Sequence, residues 1–112
     1  MVPGIYLVTF GRPGTSGGAK GVVVVEGDRV HGGDQSNLYR GRIEGEADSI
    51  RAKIRVTNHS GSPDTIFGPL KEFELEVAGE EVEGTFRLAG HIAGRPELRI
   101  GISGTWQQSL VD

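Results

Sequence analysis

The side chains of this sequence that are best suited to metal binding or acid–base catalysis are three histidines, and they lie far apart. His31, His59 and His91 show no His-x-x-x-His spacing of the kind that zinc sites use. The chain has no cysteine that could ligate a metal or act as a thiol nucleophile. We therefore expect no metal, no cofactor and no enzyme activity, and the residues favour a function in binding.

The segment from Gly11 to Lys20 shares features with a phosphate-binding loop but departs from it at the decisive positions. In such a loop Gly precedes the lysine and Ser or Thr follows it. Here Ala19 precedes Lys20 and Gly21 follows it, and a strand-like run comes next in place of a helix. We interpret the segment as a hairpin loop.

Three acidic side chains, Glu44, Glu46 and Asp48, crowd one predicted turn around Gly45. Acids at an exposed turn have no evident structural task, and they could meet a basic patch on another protein. A contribution to solubility explains them equally well. We identify these three residues as the candidate partner-binding site.

The overall charge is weakly acidic, with a formal net charge of -3 at pH 7. Proteins that bind nucleic acid usually carry a clustered basic face, so no nucleic-acid partner is expected. The longest aliphatic run, Val22–Val25, is far shorter than the roughly 20 residues that a membrane helix needs. Since the first residues also lack the features of a signal peptide, we expect a cytoplasmic protein without a membrane span.

Apolar and polar side chains alternate with a period of two, which indicates β-strands. The clearest strands are Ser49–Thr57, Glu72–Val77 and Glu97–Ile102, with a turn predicted at Ala78-Gly79. The first carries basic and the second acidic polar residues, so that side by side they would form a ladder of opposite charges. Five weaker segments complete the series: Ile5–Phe10, Gly18–Glu26, Arg29–Gly32, Leu38–Glu44 and Glu83–Ala89.

Eight strands with mostly short connections predict an all-β fold in a single domain, residues 1–112. The expected architecture is an antiparallel up-and-down barrel, because closure removes the exposed strand edges. Such a barrel has room for side chains or for one small ligand. A small apolar, lipid-like molecule inside it would contact the following residues: Ile50, Ile54, Phe73, Leu75, Phe86, Leu88, Leu98, Ile100 and Trp106. We expect Trp106 to act as a core plug that closes the barrel.

Two predicted strands are apolar on both faces, the first and the second. Something must cover the outer face there, and a second copy of the chain would do so. This predicts a homodimer packed through the following residues: Tyr6, Val8, Phe10, Val22 and Val24. An ordinary apolar surface patch is the alternative.

The most distinctive local sequence is Gly32-Gly33-Asp34 followed by Tyr39-Arg40-Gly41. It predicts a tight bend in the barrel wall at which Asp34 caps its own turn, with a ligand-gating role as the alternative. Together with Gly4-Ile5-Tyr6, Gly21–Val24 and Gly27-Asp28, these residues resemble the GrlR family. Members of that family are small bacterial proteins, and the family is named for a negative regulator of type III secretion.

The resemblance implies a lipocalin-like (calycin-like) eight-stranded barrel that forms a homodimer and has a regulatory role. The member for which the family is named holds a transcriptional activator in an inactive complex, through an exposed run of four alternating acids after the Tyr-x-Gly strand. The corresponding stretch here is Glu44 to Asp48, in which Gly45 and Ala47 separate the three acids. We therefore expect a non-catalytic regulator that binds a protein partner, with a carrier or sensor of a small apolar ligand as the alternative.

Overall fold

The structure, a computed structural model, describes residues 1–12, 18–60 and 70–112, and these form one closed antiparallel barrel. The strands are β1 (Gly4–Gly11), β2 (Ala19–Glu26), β3 (Arg29–Gly33), β4 (Asn37–Glu46), β5 (Ser49–Asn58), β6 (Glu72–Val82), β7 (Thr85–Ile92) and β8 (Arg95–Gln108). Each strand pairs with the next along the chain, and β1 pairs with β8. The predicted all-β fold with eight up-and-down strands is therefore confirmed.

The connections lie alternately at two ends of the barrel, because the strands run up and down. The turns after β2, β4 and β6 share one end with the first residues of the chain and with the end of β8. We call this the N-terminal end. The turns after β3 and β7 lie at the opposite end, which we call the far end.

The interior is filled by one face of every strand. On β5, for example, Ile50, Ala52 and Val56 are buried, while the intervening basic side chains are exposed. Aromatic rings pack across the core: the ring centroids of Tyr6 and Phe86 are 5.4 Å apart. Full burial of one large apolar side chain contributes about 1.5–3 kcal/mol, so this face supplies most of the folding free energy.

Strand boundaries differ from the prediction most clearly at Gly79. The expected turn at Ala78-Gly79 is wrong, because β6 continues through it to Val82. A Cβ atom on Gly79 would lie 1.8 Å from the carbonyl oxygen of Arg87 on β7, so the glycine permits a close approach between strands. The turn follows at Glu83-Gly84, where both residues have positive φ, as two-residue hairpins require.

The predicted ladder of opposite charges between β5 and β6 is present in part. Arg55 lies directly opposite Glu74, and Lys53 lies opposite Glu76, whereas Arg51 faces Ala78. Within the described residues, no helix is long and apolar enough to cross a membrane.

Candidate functional site

The three acids predicted to bind a partner lie on the hairpin between β4 and β5, and all three are exposed. They are Glu44, Glu46 and Asp48. Gly45 between them has a φ of +83°, and a Cβ atom there would lie 2.0 Å from the carbonyl oxygen of Ser49. Only glycine fits this backbone, so Gly45 sets the path of the strand that carries the acids.

The hairpin between β6 and β7 adds further acids at the same end of the barrel. The amide of Glu81 donates to the carbonyl oxygen of Ala47 at 2.7 Å, and this hydrogen bond joins the two hairpins. Glu80 and Glu83 are exposed, and Glu81 is half-buried. We call the combined set the acidic end surface, which consists of Glu44, Glu46, Asp48, Glu80, Glu81 and Glu83.

Sequence reasoning missed the second half of this surface. If the turn lay at Ala78-Gly79, Glu80 and Glu81 would belong to the connection that follows it, and they would not be expected beside the β4–β5 hairpin. The signal that was available is Gly84, since two-residue hairpins of this kind favour glycine at the second turn position.

Few cations offset the charge of the acidic end surface. A guanidinium nitrogen of Arg51 lies 4.0 Å from Glu44 Oε2, and both side chains are about three-quarters exposed, so this ion pair contributes little. No described cation lies within 4.0 Å of Glu46, Asp48, Glu80 or Glu83. The surface therefore presents negative charge that a basic partner could neutralise.

Glu81 also fixes the acidic end surface to the start of the chain. The Tyr6 hydroxyl has one proton, which it shares between the Val2 carbonyl oxygen at 2.5 Å and Glu81 Oε2 at 3.0 Å. The Val2 amide donates to Glu81 Oε1 at 3.3 Å. Burial raises the pKa of the Tyr6 phenol well above its ordinary value, and the hydrogen bond and charge of Glu81 raise it further. Tyr6 thus remains a neutral donor, which holds the β6–β7 hairpin in place.

The barrel interior contains a cavity of about 70 Å³. Six of the nine residues predicted to line it do so: Ile54, Phe73, Leu75, Phe86, Leu88 and Ile100. Much of the remaining lining comes from β1 to β4 and includes Val8, Phe10, Val23 and Tyr39. The first two strands, expected at an interface, therefore also contribute to the cavity wall.

Three predicted lining residues lie elsewhere. Ile50 is fully buried but does not reach the cavity, and Leu98 is half-buried at the margin of the core. Trp106 is half-buried at the N-terminal end, where its indole Nε1 donates to the Pro3 carbonyl oxygen at 3.0 Å. Trp106 therefore packs against the first residues of the chain at the margin of the core.

The predicted dimer residues divide between the two faces of the barrel wall. Tyr6 and Val8 are buried inside, and Phe10 lines the cavity, so their assignment to an outer face is wrong. Val22 and Val24 do face outward. Because both faces of β1 are apolar, a period of two does not reveal which one is buried.

The outer apolar face of β1 and β2 is formed by two directly opposed pairs. Leu7 lies opposite Val22, and Ile5 lies opposite Val24. Leu7 is 53 % exposed and Val22 is 40 % exposed. The apolar outer face that the sequence predicted on these strands exists, with Ile5 and Leu7 in place of Tyr6 and Val8.

Asp34 closes the turn between β3 and β4 at the far end. Its Oδ1 accepts hydrogen bonds from the amides of Ser36 at 2.8 Å and Asn37 at 2.7 Å, and its Oδ2 accepts one from the Tyr39 hydroxyl. The prediction that Asp34 caps its own turn is confirmed. Burial, followed by the hydrogen bond and charge of Asp34, raises the pKa of the Tyr39 phenol far above its ordinary value.

The histidines do not come together in the structure. No group of three or more histidine, aspartate or glutamate side chains in the described residues could hold a metal ion. Residues 13–17 of the loop between β1 and β2 lie outside the described residues, and the part that is described passes directly into strand β2.

Comparison with known proteins assigns no family to the chain. Neither a scan against protein-family models nor a search of curated proteins finds a match. Any function must therefore be argued from the surfaces and the cavity described above.

Proposed function

We propose that this protein is a non-catalytic regulator that binds a protein partner through the acidic end surface. The observation that supports this most strongly is the 2.7 Å hydrogen bond between Glu81 and Ala47, because it joins acids from two hairpins that are remote in sequence. A set of exposed acids on a rigid frame gives a partner a fixed pattern of charge to recognise.

The partner that fits this surface carries a basic patch. A transcriptional activator of the kind implied by the resemblance to the GrlR family would have one, since a DNA-binding surface is basic. Contact with the acidic end surface would then cover the surface that the activator uses on DNA. We place this complex in the bacterial cytoplasm.

We further propose that the protein acts as a homodimer through the outer face of β1 and β2. The support is the exposure of Leu7 and Val22, which are large, apolar and directly opposite each other. A second copy related by a two-fold axis would cover the same residues on both protomers. Replacement of Leu7 and Val22 by threonine should give a monomer in sedimentation, whereas Val82→Thr, at a still more exposed site outside this face, should leave the dimer intact.

The alternative function, carriage of a small apolar ligand, receives less support. Pockets for drug-sized ligands usually enclose about 300–1,000 Å³. The cavity here is about 70 Å³, because side chains of β1 to β4 fill much of the interior. The size of the cavity favours a function on the outer surface of the barrel.

The proposed partner site can be tested with matched charge changes. A pull-down from a bacterial lysate would compare the wild type with a variant carrying Glu44→Ala, Glu46→Ala and Asp48→Ala. The control would carry Glu26→Ala, Glu97→Ala and Asp112→Ala, which removes equal charge from exposed sites outside the acidic end surface. We expect the first variant to lose at least about tenfold in partner recovery and the control to retain it. Equal recovery by both variants would contradict the proposal.

A further inference from the structure

A groove of about 830 Å³ crosses the outer face of β4 to β7. Five cations line one side of it: Arg40, Arg42, Arg51, Lys53 and Arg55. Its floor includes Ala78 and Ala89, which lie directly opposite each other and carry only methyl groups. Glu74, Glu76 and His91 lie toward the other side. We call this feature the basic groove.

The positions of the cations in the basic groove destabilise the sheet. Arg40 lies directly opposite Arg55, and Arg42 lies directly opposite Lys53. Like charges in directly opposed positions on neighbouring strands are destabilising. The ladder with the acids of β6 accounts for Lys53 and Arg55 on β5, but it does not explain why β4 places two further cations opposite them.

Two of the five cations also lack an ionic partner in the described part of the chain. Arg42 pairs with Asp28 at 3.1 Å, and Arg55 Nε donates to Glu72 Oε1 at 2.8 Å. No described carboxylate lies within 4.0 Å of Arg40 or Lys53. These two side chains occupy diagonal positions across β4 and β5, so the middle of the basic groove holds the positive charge that is least neutralised.

The spacing of the cations matches an extended acidic chain. They recur at every second residue along β4 and β5, which corresponds to about 6.6–6.8 Å. An extended peptide with acids at alternate positions has the same repeat. Arginine guanidinium groups can also bind carboxylates through two parallel hydrogen bonds, which adds geometric specificity.

The other side of the groove distinguishes between classes of anionic partner. A single-stranded nucleic acid is usually bound by a uniformly basic groove with aromatic side chains on which the bases stack. Here the groove is lined by Glu74 and Glu76, and its described lining contains no phenylalanine, tyrosine or tryptophan. A polyphosphate chain would be repelled by these acids, whereas a protein segment can place a polar or basic side chain next to them.

We propose that the basic groove binds an extended acidic segment of a partner protein, centred on Arg40 and Lys53. The basic groove borders the acidic end surface at Glu44, which lines the groove beside Arg51, and it lies across the barrel from the apolar face of β1 and β2. The protein would then have two docking surfaces of opposite charge.

The test uses the full chain and a labelled synthetic peptide of alternating glutamate and serine, with a glutamine-for-glutamate peptide as the uncharged control. We compare the wild type with Arg40→Gln plus Lys53→Gln, and with Arg87→Gln plus Arg99→Gln. The second pair lies on β7 and β8, is exposed and outside the groove lining, and changes the net charge equally. Fluorescence anisotropy measures the Kd.

We expect the first variant to bind the acidic peptide at least about tenfold more weakly, which is about 1.4 kcal/mol, and the Arg87/Arg99 variant to bind like the wild type. Equal weakening in both variants, or no binding of the acidic peptide to the wild type, would overturn the proposal. Tighter binding of a single-stranded oligonucleotide than of the peptide would also overturn it.

A stability measurement separates this binding role from a structural one. If Arg40 and Lys53 serve the partner, their replacement relieves the repulsion by Arg55 and Arg42, and the urea midpoint should equal or exceed that of the wild type. A clearly lower midpoint would show that the cations stabilise the sheet and would count against the proposal.

Discussion

At each end of the barrel, a buried tyrosine donates a hydrogen bond from its hydroxyl to a carboxylate. The two pairs differ in how far apart the tyrosine and its carboxylate lie in the sequence. At the far end Tyr39 donates to Asp34, five residues earlier. At the N-terminal end Tyr6 donates to Glu81, 75 residues later. The far end is closed by a local turn, whereas the N-terminal end is closed only when the first strand meets the β6–β7 hairpin.

The difference matters for the proposed binding of a partner, because the acidic end surface lies at the N-terminal end. Its β6–β7 half is held by Glu81, which bonds to Val2 and Tyr6 at the start of the chain and to Ala47 in the β4–β5 hairpin. The arrangement of these acids therefore depends on the whole fold. The network of Asp34, by contrast, joins residues of one turn and strand.

The largest effect is expected from Asp34→Ala. Asp34 accepts three hydrogen bonds, and its removal leaves the buried Tyr39 hydroxyl and the amides of Ser36 and Asn37 without their acceptor. We expect a loss of about 2–4 kcal/mol in the free energy of unfolding, measured in urea by the fluorescence of the single tryptophan.

Glu81→Ala is the matched change at the N-terminal end. Glu81 is half-buried and accepts from two donors, so water can replace part of what is lost, and we expect about 1–2 kcal/mol. A loss as large as that of Asp34→Ala would mean that the long-range contact is the stronger of the two. That result would contradict the expected order, in which the far end contributes more to the free energy of unfolding than the N-terminal end.

The next prediction concerns the stability of the protein at alkaline pH. The chain has two tyrosines, Tyr6 and Tyr39, and the pKa of each is raised, first by burial and then by its carboxylate partner. The folded protein keeps the phenolic protons where the unfolded chain releases them. The stabilisation is therefore complete below the ordinary tyrosine pKa of about 10 and is lost as the pH rises above it. The slope is up to about 1.4 kcal/mol per pH unit for each tyrosine.

Tyrosinate absorbance checks this directly. Near pH 10 an exposed tyrosine is half ionised, whereas the folded protein should show almost no tyrosinate signal until it unfolds. Tyr6→Phe and Tyr39→Phe should each reduce the pH dependence of the urea midpoint. A substantial tyrosinate signal from the folded protein at about pH 10 would contradict the burial of one or both phenols.

Local patterns were sufficient to predict the barrel and its local turn. The alternation on β5 and β6 predicted both strands, and Asp34 was recognised as a cap because its partners at Ser36 and Asn37 are close in sequence. The contact of Tyr6 with Glu81 and the grouping of Glu80 and Glu83 with Asp48 depend on strand register over long separations. No single-sequence pattern encodes that register.

Two features that the sequence does not reveal have the same physical origin. The apolar faces of β1 are alike in hydrophobicity, so only the closed barrel decides that Tyr6 points inward and Leu7 outward. The basic groove was missed because Arg40 and Arg42 were not placed beside Arg55 and Lys53 until β4 and β5 were in register. In each case the sequence shows which residues are present, but it does not show which residues lie beside them in the folded sheet.

The smallest effect is expected from removing one hydroxyl at the N-terminal end. Tyr6→Phe keeps the ring against Phe86 and deletes only the hydrogen bonds to Val2 and Glu81, so we expect a loss of about 0.5–1.5 kcal/mol. A double-mutant cycle with Glu81→Ala isolates the energy of the pair, and the corresponding cycle of Tyr39→Phe with Asp34→Ala gives the value at the far end.

The coupling energy should be smaller for Tyr6 and Glu81 than for Tyr39 and Asp34, because the Tyr6 proton is shared with the Val2 carbonyl oxygen, whereas no second acceptor among the described residues shares the Tyr39 proton. The same Tyr6→Phe variant should still weaken the partner contact of the acidic end surface, although none of its acids is changed. If Tyr6→Phe lowers stability and leaves partner binding unaltered, then the β4–β5 acids suffice for recognition, and Glu80, Glu81 and Glu83 are not part of the binding surface.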